Sequence, residues 1–502
     1  MTINTELINE LKEYCKVMEG ELNEYTGHEI NLICKLNEED VIELGFNASS
    51  PIKYPPMEDF IQGIVDKILK MISDTTNLKE DLDWELFEVL RQKISVDLIF
   101  GESPNEKENY RRMKFLGDLI SIGNKSYEGK SSDIGVIFSE ADHIERIANQ
   151  YEFNVILLEK KLDLNELFNN EKPFLKLVDG NTINLIVDKD FKIYGLAVNT
   201  STPTNISEII EQNFEETRLI RSIEFTKEAI KNMYNSLLEK KYYKEIEGEK
   251  LQSGLKSMLI LMKETIQKAS AKFENASPEF IYFKLNTGEL EVFNSKDFII
   301  SYCKGNWKLK NYNILQFILM RQLLIRNQIY LLIEESLDNS VLLKNVIDGT
   351  KILFNTIKKL SQTNTSSIIL FTPIKPEEIA YSNELTLDEA KESLSKLPLK
   401  PKSKDYLYLK LIQQNDKHLN VINVGVPFLS NICSIDGAVV IDDMLNILSY
   451  GEIIEIPSKP NEVFGTGTNA CKVASENGGL AIKVSEDGDV KVYSDGKIIL
   501  TL

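Results

Sequence analysis

The sequence predicts an α/β protein of two related units, each a mixed central sheet flanked by helices, with a helical segment ahead of them and a helical insertion inside the first. Length is one reason: 502 residues exceed what a single hydrophobic core serves, so two or three domains are expected. Composition is another, since 42% hydrophobic and 27% charged residues suit a globular chain and neither a disordered tail nor a membrane bundle. The third is internal repetition. "FIYFKLNTGELEVFNSKDFII", residues 280–300, runs parallel to "LAIKVSEDGDVKVYSDGKIIL", residues 480–500; each alternates apolar residues around a turn glycine, Gly288 or Gly488. "SSDIGVIF" corresponds to "TSSIILFT", and "VDGNTINLIVDKDFKIYGLAV" to "IDGAVVIDDMLNILSYGEII". Any two hairpins with glycine turns look somewhat alike, but three correspondences in the same order point to a duplicated domain.

In chain order, residues 1–82 read mostly helical, broken by the connector "NASSPIKYPP" whose prolines and serines stop a helix. A helix around Trp84–Gln92 opens the first unit, residues 83–310, and a further helix leads to a short apolar strand at Ile134–Phe138. Next come a strand, a helix and a hairpin that turns at Lys189–Asp190. Residues 205–275 place Lys and Glu on one helical face and Leu, Ile and Met on the other, which reads as the insertion, before strands return at Phe280. The second unit, residues 311–502, begins with "YNILQFILMRQLLIRNQIYLLIEE". Arg321, Gln322, Arg326 and Gln328 interrupt it too often for a membrane span of about 20 residues, so a buried helix or helix pair is expected.

Several chemistries are disfavoured at once. The five cysteines are scattered, with no C-x-x-C pair, and read as reduced buried thiols. Three dispersed histidines argue against a zinc site or a Ser-His-Asp triad, so any catalysis leans on carboxylates and metal ions. A formal charge of −19 and the lack of a basic run with interleaved aromatics disfavour nucleic acid as a partner. The stretch "MTINTELINELKEYCK" has early acidic residues and no apolar core of signal length, so no export signal, no membrane partner and a cytoplasmic location are expected.

The most suggestive local motif is Gly465-Thr466-Gly467-Thr468-Asn469. It offers unhindered N–H groups and two hydroxyls, a cradle for a sugar edge or a phosphodiester, yet such a turn is more often a strand-to-helix connector. It lacks the Gly-Lys-Ser/Thr ending of a P-loop, and Lys472 breaks the spacing of a dinucleotide fingerprint. Asp436-Gly437-Ala438 likewise has two readings, a carboxylate for metal-assisted chemistry or a tight turn ahead of a strand.

Taken together, the last 190 or so residues resemble the diadenylate cyclase domain, which also occurs in the DNA-integrity-scanning diadenylate cyclases. Asp436-Gly437-Ala438 matches the family's Asp-Gly-Ala; Gly465 follows 29 residues later, and Ala470, Ser475-Glu476 and Ser485-Glu486 fall where the family pattern expects them. The resemblance implies two diadenylate-cyclase-like units. It also implies a nucleotide-binding set of Asp436, Gly437, Ala438, Gly465, Thr466, Gly467, Thr468, Asn469, Lys472, Ser475 and Glu476. Asp436 would then be the catalytic, metal-binding carboxylate, with Mg²⁺ or Mn²⁺ needed only if the chain is active. The departure is Gly467-Thr468-Asn469, which stands where the family has Arg-His-Arg and so removes the phosphate-binding cations; Lys472 and Lys483 are candidates to replace them. In the first unit Asp179-Gly180-Asn181 precedes Asp188 by 9 residues, whereas Asp436 precedes Asp442 by 6, so either the alignment slips or the catalytic aspartate is missing.

These features imply a catalytically inactive sensor of the superfamily's degenerate branch, which binds a nucleotide or cyclic dinucleotide and signals to an effector protein. Its two units would act as a pseudo-dimer within the chain or as part of a homo-oligomer. The alternatives are a divergent nucleotidyltransferase that draws cations from Arg321, Arg326 or Lys344, and a protein-binding scaffold that uses the helical insertion.

Overall fold

A computed structural model describes residues 5–27, 30–36, 42–48, 62–63, 66, 84–127, 130–131, 134–170, 177–199, 206–211, 214, 280–286, 289–293, 299–303, 305–310, 312–331, 339–372, 394–395, 397–400, 413–414, 417–442, 444–456, 465–476 and 479–502. Most of the expected insertion, apart from residues 206–211 and 214, lies outside the described residues, as does most of the connector after residue 48. The chain divides into two compact α/β units.

The first unit holds α1 (Thr5–Thr26), β1 (Ile30–Leu36), β2 (Ile42–Ala48), α2 (Trp84–Phe100), α3 (Glu106–Gly123), β3 (Ser126–Tyr127), β4 (Lys130–Ser131), β5 (Ile134–Phe138), α4 (Ala141–Gln150), β6 (Phe153–Asp163), α5 (Leu164–Asn170), β7 (Ile183–Val187), β8 (Lys192–Asn199), β9 (Ile281–Asn286), β10 (Glu289–Phe293), β11 (Ile299–Cys303) and β12 (Asn306–Lys310). The N-terminal segment is helical in α1, and its next stretch forms an antiparallel hairpin, β1 with β2. The reason is local: Ile30, Leu32, Cys34 and Leu36 recur at period 2, with polar Asn31 and Lys35 between them and Ile33 the exception, a strand pattern that outweighs the helical neighbourhood. Helix α1 docks within this unit. The Tyr25 hydroxyl meets Ser95 Oγ at 3.0 Å, and Arg91 pairs with Glu21 and donates to Asn306 Oδ1 at 3.2 Å.

The second unit holds α6 (Tyr312–Leu331, buried at residues 314–320), α7 (Asn339–Gln362), β13 (Ser367–Thr372), β14 (Gln413–Gln414), β15 (Lys417–His418), α8 (Val421–Cys433), β16 (Ala438–Asp442), β17 (Ile447–Glu452), α9 (Thr466–Ser475), β18 (Leu480–Val484), β19 (Val490–Ser494) and β20 (Lys497–Thr501). Helix α8 breaks at Gly425, whose φ of 68 and ψ of 177 leave the helical region just before Pro427. Among the described residues no helix is long and apolar enough to cross a membrane.

The two sheets share one plan. The larger is ordered β12-β11-β10-β9-β5-β7-β8-β6 and the smaller β17-β16-β13-β18-β19-β20. In each, one central strand pairs parallel with the strand that follows it through a crossover (β5 with β7, β13 with β16), and every other step across the shared six-strand core is antiparallel. Registers agree as well as order. The row Leu185–Val136–Phe283–Val292–Ile300 crosses the first sheet, and Val439–Ile369–Ile482–Val492–Leu500 crosses the second. Both rows are fully buried.

The turns after β7 and β16 repeat in detail. Asp188 Oδ1 accepts from the N–H groups of Asp190 and Lys192 at 2.9 and 3.0 Å, and Asp442 Oδ1 from those of Met444 and Asn446 at 2.9 and 2.7 Å. Three residues past each aspartate a non-glycine residue takes positive φ, Phe191 at 60° and Leu445 at 66°. A short carboxylate that gathers its own downstream N–H groups is a recurrent way to close such a turn.

The buried thiols yield a first expectation. Cys433 and Cys471 are both fully enclosed, and burial pushes each thiol up to about 12. Because the thiolate is the reactive form, iodoacetamide at pH 8 is expected to leave both unmodified in the native protein and to alkylate both in guanidinium, as read by peptide mass spectrometry.

Candidate functional site

The Asp-Gly-Ala segment divides into two structural residues and one exposed one. Gly437 has φ of +106, and a Cβ placed on it would lie 2.5 Å from the Gly451 carbonyl carbon and 2.9 Å from Glu452 N. Backbone of β17 therefore passes where any side chain would go, and glycine is required for this approach. Ala438 is fully buried in the core that α9 covers, with Val440, Ala470, Cys471, Ala474 and Tyr493. Asp436 is exposed and has no hydrogen bond or ion pair among the described residues. The turn reading accounts for Gly437 and Ala438 and leaves the Asp436 carboxylate available.

Sheet register brings Asp436 and the glycine-rich turn to one end of the unit. Ile368 of β13 pairs with Ala438 on one side and Lys483 on the other, so these three lie in one row on one face. With strands about 4.8 Å apart, Lys483 is roughly 10 Å from Ala438 across the sheet. The Lys483 ammonium donates to Thr468 Oγ1 at 3.2 Å, which fixes the first turn of α9 above this row. Asp436, two residues before Ala438, extends beyond the same end.

Gly465 is the N-cap of α9, with φ of −61 and ψ of 152, and it offers no side chain to cap the helix. Its carbonyl accepts from Thr468 N and Asn469 N at 3.0 and 3.2 Å. The N–H groups of Thr466 and Gly467 have no acceptor among the described residues, as the opening of a helix allows. Gly465 and Thr466 are exposed. A Cβ at Gly467 would lie 3.2 Å from Lys483 Cε, so the lysine stem runs directly beneath the helix start. Thr468 is buried, and the enclosed Tyr493 hydroxyl beside it lacks a well-formed hydrogen bond; burial holds that phenol up at about 12.

Lys491 is the residue that sequence reading missed. It stands directly opposite Lys483 in the β18–β19 ladder, on the same face. Both lysines are half-buried, and neither has a carboxylate partner among the described residues. Counting outward from Gly488 would have set Lys491 against Ser485; the ladder is centred one residue earlier, on Asp487, so it takes the strand register to pair the two lysines.

The remaining candidates lie elsewhere on α9. Lys472, Ser475 and Glu476 fall at its C-terminal end, about 10–17 Å along the axis from Gly465 at 1.5 Å per residue. Ser475 is buried and structural in its contacts: its Oγ donates to the Lys472 carbonyl at 3.0 Å and accepts from Gly496 N at 3.2 Å. Ser485 and Glu486 belong to the β18–β19 turn, where Gly488 N donates to the Ser485 carbonyl. Of the three cations named for the nucleotidyltransferase alternative, Arg321 is half-buried, with burial lowering its pKa, and Lys344 is exposed; the Arg326 side chain lies outside the described residues.

In the first unit, alignment through Asp188 and Asp442 places Thr182 at the position of Asp436. Asp179 instead closes a turn, accepting from the N–H groups of Asn181, Thr182 and Ile183 at 2.9, 2.6 and 3.1 Å and from the Thr182 hydroxyl at 2.7 Å. Burial opposes its charge, but these donors outweigh that and hold the carboxyl below its usual range. Its lone pairs are already committed.

Among the described residues no group of three or more His, Cys, Asp or Glu side chains could hold a metal ion. Asp436 alone does not make a resident metal centre.

No family model and no curated protein matches the chain. Among solved structures, a crystal structure of a double cysteine mutant of DacA from Staphylococcus aureus is similar at 17% identity over 31% of this chain and 87% of that one, with a TM-score of 0.20. A hypothetical membrane spanning protein from Bacillus cereus is similar at 16% identity over 38% of this chain and 91% of that one, with a TM-score of 0.21. Scores this low carry no weight for function.

Proposed function

We propose that the chain is a nucleotide-binding sensor assembled from two diadenylate-cyclase-like units, in which the second unit binds a nucleotide or cyclic dinucleotide without converting it and the first is a degenerate copy. The observation that carries this reading is the Lys483–Lys491 pair beneath the open N-terminus of α9. Like charges set directly opposite in a ladder disfavour the sheet, and an anion seated between them removes that cost. The helix start adds unpaired N–H groups and the positive end of its dipole, which together favour phosphate.

Charge balance points to the kind of ligand. Two lysines match the two single charges of a cyclic dinucleotide better than the roughly four charges of a nucleoside triphosphate, and Gly467, Thr468 and Asn469 supply no further cation. Asp436 at the same end of the sheet is suited to accept a hydrogen bond from a ribose hydroxyl. The shared strand order and row register support descent of both units from one ancestor, and an effector protein would read the ligand-bound state. A divalent ion would enter only with a ligand's own phosphates.

Asp436, exposed and uncommitted, keeps divergent nucleotidyl transfer as the second reading. Incubation of the pure protein with ATP, GTP and Mn²⁺, followed by mass spectrometry, separates the two. Unchanged triphosphates, in the wild type and in Asp436→Ala alike, are expected. A linear or cyclic dinucleotide that disappears in Asp436→Ala would make the chain a synthase.

A further inference from the structure

The first unit carries the counterpart of this lysine pair wired to opposite effect. Gly135 of β5 pairs with Lys284 of β9, as Ile368 of β13 pairs with Lys483 of β18, and the aligned rows make Lys284 the positional equivalent of Lys483. Across the next ladder Lys483 faces Lys491, whereas Lys284 faces Glu291. Where Lys483 donates to a threonine hydroxyl, Lys284 donates to the Glu211 carboxylate, carried by helical residues 206–211 that stand between β8 and β9 as α9 stands between β17 and β18. The Glu211–Lys284 pair is largely enclosed, with side chains 12% and 24% exposed.

The rest of the equivalent surface is filled as well. Asn184 occupies the row position of Ala438, and its Oδ1 sits 1.5 Å from where a Cβ on Gly135 would stand, so the missing side chain of Gly135 makes room for that amide. The Tyr282 hydroxyl donates to Asn184 Oδ1 at 3.3 Å and contacts Ser207 Oγ, which also donates to the Gly180 carbonyl. The chain's own polar atoms cover this face.

We infer that the first unit is a self-occupied anion site. The Glu211 carboxylate stands on Lys284 where a ligand phosphate would stand on Lys483, Glu291 puts a negative charge where Lys491 supplies the second cation, and the chain takes one phosphate-bearing ligand rather than two. An internal carboxylate acts at high effective concentration, and a ligand that displaced it would separate the mostly enclosed Glu211 from Lys284. The meaning given to the lysine position rests on the reading of the second unit.

The test uses inorganic tripolyphosphate as probe, titrated calorimetrically into the full chain as wild type, Glu211→Gln, Glu211→Gln/Glu291→Gln, and that double variant combined with Lys483→Met or with Lys284→Met. Wild type is expected to bind one equivalent. The double variant gains a second site, tighter by about tenfold or more than any residual affinity in wild type, which survives Lys483→Met and disappears with Lys284→Met. A double variant with an unchanged circular dichroism spectrum and still only the Lys483-dependent site overturns the inference. A wild type that binds nothing, beside a double variant with one Lys284-dependent site, supports the inference and refutes the reading of the second unit. If the double variant does not fold, the shape-conserving Glu211→Gln decides: a Lys284-dependent gain supports the inference, and no gain overturns it.

Discussion

Replacing Gly437 by alanine is expected to lower the melting temperature by about 10 °C. The added methyl would stand 2.5 Å from the Gly451 carbonyl carbon, and the residue would be held at φ of +106. Backbone on both sides of this contact belongs to paired strands, since Ala438 is in register with Glu452, so neither can retreat without breaking a ladder. Overpacking of this kind costs about 1–3 kcal/mol and a strained backbone about 1–3 more. Each kcal/mol moves the midpoint by roughly 2–4 °C for a unit of this size. A thermal scan by circular dichroism that shows Gly437→Ala melting within about 2 °C of wild type would mean that the close approach of β16 and β17 is wrong. Asp436→Ala, one residue away and exposed, serves as the control and is expected to melt like wild type.

Lys483→Met carries the second large effect, on binding rather than on stability. Its ammonium is the cation fixed at the start of α9, and the charge-assisted contacts it offers an anion are worth about 1.5–3 kcal/mol. Loss of the charge is therefore expected to weaken ligand binding roughly ten- to hundredfold. The stem of methionine still covers Gly467, so packing under the helix is largely kept. Relief of the Lys483–Lys491 opposition works the other way on the fold: the variant is expected to melt at or slightly above the wild-type temperature. Binding should weaken with added salt in the wild type and less steeply in the variant.

Much of this fold was legible where turns and periodicity act locally. The strand at Ile134–Phe138, the turn at Lys189–Asp190, and the hairpins around Gly288 and Gly488 all formed as the alternation predicts. Finer correspondence was hidden by turn length. Two residues separate β9 from β10, and five separate β18 from β19. Superposing the turn glycines therefore sets Phe283 against Lys483, and a slip of one residue exchanges the two faces of a strand. Only the pairing of β9 with β5 restores Lys284 as the equivalent residue.

The site was legible in part for the same reason. Residues adjacent in sequence, Gly465 to Asn469, read as a cradle or a strand-to-helix connector, and α9 does start there at Thr466. Asp436 and Asp179 were already measured from Asp442 and Asp188 in the sequence, and the matching turns at those two aspartates make that reference structural, which leaves Thr182 at the place of Asp436. Ser475 and Glu476 were drawn in by motif spacing, although a ten-residue helix carries them to its far end. Lys491 is 26 residues from Gly465, and nothing short of strand pairing brings the two near one another.

The most direct test is an equilibrium titration of cyclic diadenylate and of ATP into the full chain by calorimetry, with the nucleotides recovered and weighed by mass afterwards. The account predicts saturable binding of one equivalent per chain, cyclic dinucleotide ahead of triphosphate, intact nucleotides on recovery, and a roughly ten- to hundredfold loss in Lys483→Met. Saturation of neither ligand at millimolar concentration, or an affinity that Lys483→Met leaves untouched, would contradict it.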